Sequence, residues 1–225
     1  MKIISYNINS CNQKKVNLLF KENADVYVVP EIASQEKIEL PDGFEMKWAG
    51  DMNYPSKGLG IIWRKGKGKV ADWYDQSFHY AIPLVYDGVL ILGFWPTKIN
   101  KNEKYTQIAT SILEHYSEHL KEKPCIITGD FNLYHKEDNQ NKDADLIPVN
   151  NLLNEFTSVY HHQNNESLGH ETKHTYNHQF KAENPFFLDY TYTNSINRIK
   201  NYKLFDLTEK FGKTFSDHVG QIIEI

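Results

Sequence analysis

The sequence predicts a single α/β domain spanning residues 1–225, and three observations carry that prediction. Runs of β-branched and aromatic residues alternate along the chain with segments whose apolar residues recur every three or four positions. A composition of 40% hydrophobic and 13% aromatic residues supplies enough apolar side chains for a buried core and excludes a disordered chain. No internal repeat, low-complexity linker or shift in composition divides the length, so one domain is the economical arrangement.

The elements follow in order. Ile3, Ile4 and Tyr6 open the chain as a short strand ending at Asn7. KKVNLLFKEN then places Val16, Leu19 and Phe20 on one side of a helix. ADVYVVPEI reads as a buried strand stopped by Pro30, which delivers Glu31. Gly58–Arg64 and Gly88–Trp95 are two more strands. Between them Gly66, Gly68 and Pro83 mark turns and edges. The clearest helix runs from Tyr105 to Leu120, with an apolar stripe through Ile108, Ala109, Ile112, Leu113 and Tyr116 and a stop at Pro124. CIITGDFN follows as strand then loop, and 136–145 is a polar surface loop. Leu152, Leu153, Phe156 and Val159 predict a further amphipathic helix. FFLDYTYTN, KNYKLFDL and GQIIEI complete the strands.

Charge and cysteine content narrow the function. The net charge is −4, with 29 acidic against 25 basic residues, and Arg64 and Arg198 are the only arginines. Duplex binders gain affinity by neutralising phosphates, and arginine is the main reader of guanine. Sequence-specific DNA recognition is therefore not expected. No apolar run is long enough to span a membrane, and MKIISYNINS lacks the features of a signal peptide. With only Cys11 and Cys125, no disulfide scaffold is indicated and a cytoplasmic location is expected.

The chemistry collects where apolar runs stop. Asn7, Glu31, Asp130 with Asn132, Asp189 inside FFLDYTY, and Asp217 with His218 before the last strand all sit in that context. Alone, Asp130 and Asn132 would suit an ordinary turn. Asp189 is different, because an aspartate between FFL and YTY is expensive in a strand unless paired. Strand ends in α/β architectures converge on one edge, so these residues can form one cluster. Carboxylates and amides without a thiol favour a hard cation, Mg²⁺ or Mn²⁺. His161, His162, His170, His174 and His178 invite a zinc reading, but without cysteine or a helical setting a solvated or substrate-facing loop is favoured. Trp63 and Phe94 are expected in the core, while Trp73 and Tyr74 are core residues or stacking surfaces for unpaired bases.

SYNIN, VVPEI, GLGIIW, TGDFN, LDYTYTN and SDHVGQIIEI occur in the order seen in the endonuclease/exonuclease/phosphatase superfamily, which the chain resembles over essentially its whole length. That group includes deoxyribonuclease-like enzymes, abasic-site endonucleases, inositol-phosphate phosphatases and sphingomyelinases. The resemblance implies a four-layered α/β sandwich, two mainly antiparallel sheets packed face to face with helices outside. It also implies roles. Glu31 and Asn7 would hold the metal, with Asp217 a further metal-side carboxylate. Asp130 would orient and activate water, and Asn132 would bond the phosphoryl oxygens. His218, fixed by Asp189, would hold a non-bridging oxygen. Trp95, His174 and Tyr176 are candidate substrate contacts. Two departures stand out. Phe94 and Trp95 occupy the strand end where many members carry a catalytic histidine or, in abasic-site endonucleases, a tyrosine. Asn9 stands where the latter often have aspartate. Lys98 is a candidate to supply the missing donor.

The favoured function is a divalent-metal-dependent phosphodiesterase, a nuclease acting on DNA or RNA without sequence-specific recognition. One alternative is a phosphatase or phosphodiesterase for a small molecule such as an inositol phosphate or signalling nucleotide. The other is a non-catalytic phosphate-binding module on the same fold.

Overall fold

The computed structural model describes residues 1–136, 143–177 and 185–225. Most of the predicted loop 136–145, and His178, lie outside the described residues. Along the chain run β1 (Lys2–Ser5), α1 (Gln13–Phe20), β2 (Val26–Ile32), β3 (Phe44–Gly50), β4 (Gly58–Arg64), β5 (Gly68–Val70), β6 (Ala81–Tyr86), β7 (Val89–Phe94) and α2 (Tyr105–Lys121). Then come β8 (Cys125–Asp130), α3 (Ile147–Leu152), β9 (Thr157–Ser158), α4 (Val159–Asn164), β10 (Tyr176–Asn177), β11 (Pro185–Phe186), β12 (Asp189–Thr193), β13 (Asn201–Phe205), α5 (Thr208–Phe211) and β14 (Gly220–Glu224).

Two six-stranded sheets result, ordered β13-β14-β1-β2-β4-β3 and β5-β6-β7-β8-β12-β9. Each is antiparallel except for one central parallel pair, β1 with β2 and β7 with β8. A parallel pair needs a crossover, and α1 and α2 supply it. Strand periodicity explains why β2 reads as continuously apolar. Val26 and Val28 face the core between the sheets, while Tyr27 and Val29 face the outer cluster with Val16 and Leu19 of α1. On the other side, Ala109, Ile112, Leu113 and Tyr116 of α2 cover the second sheet. The layers are helix, sheet, sheet and helix, as the resemblance implies.

A buried polar string ties the sheets together below one edge. Thr128 and Thr191 share a hydroxyl contact of 2.8 Å, Thr191 donates to Gln221 Oε1 at 2.8 Å, and Tyr202 donates to the same oxygen at 2.9 Å. This string fixes β8 and β12 of one sheet against β13 and β14 of the other, the strands that lead into Asp130, Asp189 and His218.

Several expectations are corrected. Pro30 does not stop β2; it pairs with Leu59, and a bulge at Glu31 carries the strand on to Ile32. Its carbonyl accepts from Ile8 beyond the end of β1, a position where a residue without an N–H is tolerated. The segment around Pro83 holds β6, a full strand, because β5 covers only Leu84 to Tyr86 and leaves Pro83 past the end of its partner. The helix predicted through Leu152 and Val159 is split into α3 and α4, since Thr157 and Ser158 pair with Thr193 and Tyr192 to form the sheet edge. His161 and His162 lie on α4, not on a loop. β3 was not anticipated, although Phe44, Met46 and Trp48 alternate with Glu45 and Lys47.

One glycine carries a prediction. Gly129 has φ +152° and lies against β7, where an added Cβ would stand 1.9 Å from the Phe94 carbonyl oxygen. Gly129→Ala is expected to lower stability in urea by about 3 kcal/mol, from backbone strain and clash together. A loss below about 1 kcal/mol would mean that the parallel pair can spread to admit the methyl group.

Candidate active site

The C-terminal ends of the two parallel pairs come together at one edge of the sandwich. β1 leads into Asn7, β2 into Glu31 and β8 into Asp130 and Asn132. β12 begins at Asp189, in register opposite Asp130. His218 comes two residues ahead of β14. Glu31 at φ +62° and Asn132 at φ +53° adopt left-handed backbone. Asparagine tolerates that region, whereas for glutamate it stores about 1–3 kcal/mol of strain of the kind that gathers at functional sites.

Asn7, 1% exposed, is the hub. Its Nδ2 lies 2.9 Å from Asp130 Oδ2, 3.3 Å from Glu31 Oε1 and 3.4 Å from His218 Nε2. An amide has two hydrogens for these three neighbours. His218 Nδ1 stands 2.8 Å from Asp189 Oδ2, and its Nε2 lies 3.9 Å from Asp130 Oδ2. The Asn132 backbone N–H donates to Asp130 Oδ1 at 2.9 Å, and its side chain donates to the Pro96 carbonyl at 3.0 Å, joining the ends of β8 and β7. Ser216 holds the last loop: its hydroxyl donates to the Asn7 carbonyl at 2.7 Å and accepts the His218 N–H at 3.1 Å. Thr175 Oγ1 accepts the N–H groups of Leu188 and Asp189 at 2.9 and 3.0 Å, fixing the start of β12.

Burial sets the protonation states. It pushes the Asp130 carboxyl up to about 7, with the nearby His218 charge pulling it back and Asp189 adding to the rise. Burial likewise raises Asp189, against the opposing pull of His218. For His218 burial acts downward, but the carboxylates of Asp189 and Asp130 outweigh it and hold the imidazole at about 10. The site thus presents a protonated imidazole beside a carboxyl poised near neutrality.

Among the described residues, ligand atoms of Asp130, Asp189 and His218 lie within 4.8 Å of one another. Asp189 and His218 are bonded to each other, and a protonated imidazole does not ligate. The donors left for a cation are the Glu31 carboxylate and the Asn7 amide beside it, with the Asp130 carboxyl on the other side of that amide. The Glu31 carboxylate is a hard oxygen donor that fits a divalent ion of the Mg²⁺ type better than a thiophilic one, and the Asn7 oxygen, which accepts the Asn9 N–H at 3.0 Å, would have to turn from it to join the ligands. Asp217 stands further out, accepting from Asn9 Nδ2 at 2.8 Å.

The other candidates separate. The Tyr176 ring lies 4.7 Å from the His218 ring, and the two residues form a backbone bridge. Trp95 is 2% exposed and packs edge-on against Tyr80. His174 instead lines a cleft of about 260 Å³ with Tyr134, Lys136, Lys173 and Phe186, none of which belongs to the cluster. Lys98 pairs with Asp143 at 3.7 Å and lies over the Tyr105 ring. Phe94 and Trp63 are core residues, and Trp73 stacks on His119 of α2. His161 is a buried histidine joined to Glu171 at 2.9 Å. Sequence reasoning missed Lys57, whose Nζ lies 3.1 Å from Glu31 Oε2. It also missed Tyr105, whose phenol is raised by burial and by the charges of Asp130 and Glu31. A lysine before a strand and a tyrosine opening a helix carry no local signal of such a role.

No family model matches the sequence, and no curated protein matches it. Solved structures do match in fold. A 3′-5′ exonuclease, NExo, from Neisseria meningitidis is similar at a TM-score of 0.72 and 18% identity, over 100% of this chain and 99% of that one. An AP endonuclease from Archaeoglobus fulgidus has a TM-score of 0.71 and 18% identity, over 99% and 98%. A Neisseria 3′ phosphatase, NExo bound to a product DNA hairpin, has a TM-score of 0.73 and 17% identity, over 100% and 99%.

Proposed function

The chain has the fold of the endonuclease/exonuclease/phosphatase superfamily, and we propose that it is a divalent-metal-dependent phosphodiesterase, a nuclease hydrolysing DNA or RNA by activated water. The observation that carries this is the meeting of Asn7, Glu31, Asp130, Asp189 and His218 at one edge of both sheets. A phosphate-binding module would need cations and donors, but not a buried carboxylate beside the bound phosphate. The DNA hairpin on the similar Neisseria phosphatase supports a nucleic acid substrate.

Each residue suits a task. Asp130 Oδ2 takes the proton of the attacking water, a role matched to a carboxyl near neutrality. His218 Nε2 donates to a non-bridging phosphoryl oxygen, with Asp189 keeping the ring charged and oriented. Asn132 adds its amide beside it. Glu31 and Asn7 would hold the ion, with Asp217 a further carboxylate on that side. Mg²⁺ or Mn²⁺ bound there would offset the negative charge that repels a nucleophile from a phosphodiester. Tyr176 borders the substrate and His174 meets a more distant part of it, whereas Trp95, 2% exposed, packs in the core and does not serve as a substrate contact. One domain over 1–225 carries the activity. Among the described residues no helix is long and apolar enough to cross a membrane. The unpaired Cys11 and Cys125 suit the cytoplasm.

The test is a substrate panel with Mg²⁺ or Mn²⁺: plasmid DNA, single-stranded DNA, abasic duplex, RNA, a chromogenic phosphodiester and inositol phosphates. Nucleic acid is expected to be cut, and Glu31→Ala is expected to abolish cutting. Turnover of inositol phosphates alone would move the assignment to a small-molecule phosphatase. No turnover, with no metal binding by calorimetry, would leave a phosphate-binding module.

A further inference from the structure

The end of β7 brings no hydrogen-bond donor to the site from Phe94, whose side chain carries none. Phe94 is fully buried, with its ring 4.7 Å from that of Phe131. Lys57 reaches the same neighbourhood from the β3–β4 connection. Its Nζ lies 3.1 Å from Glu31 Oε2 and 5.7 Å from the centre of the Trp95 ring, so one ammonium pairs with the metal-side carboxylate and stands over the residue that follows β7. We propose that Lys57 is a catalytic residue that grips a non-bridging oxygen of the scissile phosphate, in place of the strand-end histidine or tyrosine.

The local structure holds it there. The connection turns at Asp51, whose carboxylate accepts from the Asn53 N–H at 2.8 Å, and the Lys57 N–H bonds the Tyr54 carbonyl at 3.2 Å. Gly58 follows, and the Trp48 indole lies across it, donating to the Ile32 carbonyl at 3.0 Å. The lysine therefore leaves from a clamped base. The cations nearest by have other partners. Lys15 Nζ donates to the carbonyls of Ile8 and Asn9 at 2.6 Å each, and Lys98 faces Asp143. Lys57 keeps 55% of its side chain exposed over a carboxylate only 16% exposed, so an incoming phosphate can meet the ammonium. As a mere surface ion pair the contact would add little to stability. A preorganised cation aimed at developing phosphoryl charge has a larger effect, through rate rather than stability.

This inference rests on the proposed phosphodiesterase reading, and its test separates the two. With bis(p-nitrophenyl) phosphate at saturating Mn²⁺, Lys57→Ala is expected to lower kcat/KM about 100-fold, through a lower kcat and a raised KM together, because the ammonium grips the phosphate in the bound substrate and more strongly in the transition state. Lys57→Arg is expected to keep activity within about tenfold of the parent, because the charge is restored. Lys69→Ala, a surface control whose ammonium pairs with Asp72, should match the parent. Calorimetry with thymidine 5′-monophosphate and Ca²⁺ gives a readout independent of turnover, and Lys57→Ala should weaken that binding at least about tenfold. If Lys57 only neutralises Glu31, the alanine variant would bind metal more tightly, with unchanged kcat and unchanged nucleotide affinity. That result overturns the proposal. A parent protein that hydrolyses no ester would defeat the phosphodiesterase reading, and the nucleotide titration would still decide Lys57. Loss of binding in the alanine variant would support the contact; no binding by the parent, or no loss, would overturn it.

Discussion

Asp130→Asn is expected to lower kcat by about 10²–10⁴ while leaving the fold intact, since general-base catalysis contributes on that scale. The change is isosteric and keeps an oxygen for the Asn132 N–H. It removes the one group at the cluster whose carboxyl is pushed up to about 7, so a base near operating pH is replaced by none. The thermal midpoint should fall, because the new amide group meets the Asn7 Nδ2 donor that the carboxylate accepted at 2.9 Å and no longer offsets the His218 charge. Steady-state hydrolysis at saturating metal, beside a melting curve, checks both halves. Activity within tenfold of the parent would move the proton acceptor elsewhere.

His218→Ala is expected to destabilise the fold by about 3–5 kcal/mol, the range for removing one partner of a buried ion pair. Asp189 is 2% exposed and would be left without its 2.8 Å partner. Urea unfolding of His218→Ala, Asp189→Asn and the double variant should show the double losing less than the sum. The pair also sets a pH dependence. His218 has a folded value of about 10 against an ordinary value of 6.5, so the folded chain holds that proton more tightly between the two. The pair's contribution is fully present below about pH 6.5 and is lost as pH rises towards 10. Asp130, also raised, works in the same direction between its ordinary value of 3.8 and about 7. Without metal, the melting midpoint should therefore fall from pH 6 to pH 10, and His218→Ala should flatten the part above pH 7. A midpoint that rises with pH would show that the ring is neutral in the folded chain.

The departures from expectation share one character. β3 was missed although its alternation is plain, because an edge strand has one buried face and reads like an exposed loop with scattered aromatics. The helix through Leu152 and Val159 was overextended because Thr157 and Ser158 are claimed by β12, a partner some 35 residues later whose hydrogen bonds override helical spacing. Pro30 was read as a stop because a local rule had no knowledge that β1 ends beside it. The histidine stretch looked uniform in sequence, yet His161 belongs to the core and His174 to a separate cleft.

Legible in the residues alone are a single α/β domain and the set of acids and amides placed where apolar runs end. Both depend on periodicity and on the cost of a charge within an apolar strand, which neighbouring residues reveal. Only the tertiary structure decided how those residues meet: Asn7 against His218 across 211 positions, Asp130 against Asn7 across 123, and Lys57 above Glu31. Such contacts depend on which strands lie side by side and on where a bulge turns a side chain. These are properties of the packed sheets, and no short stretch of chain encodes them.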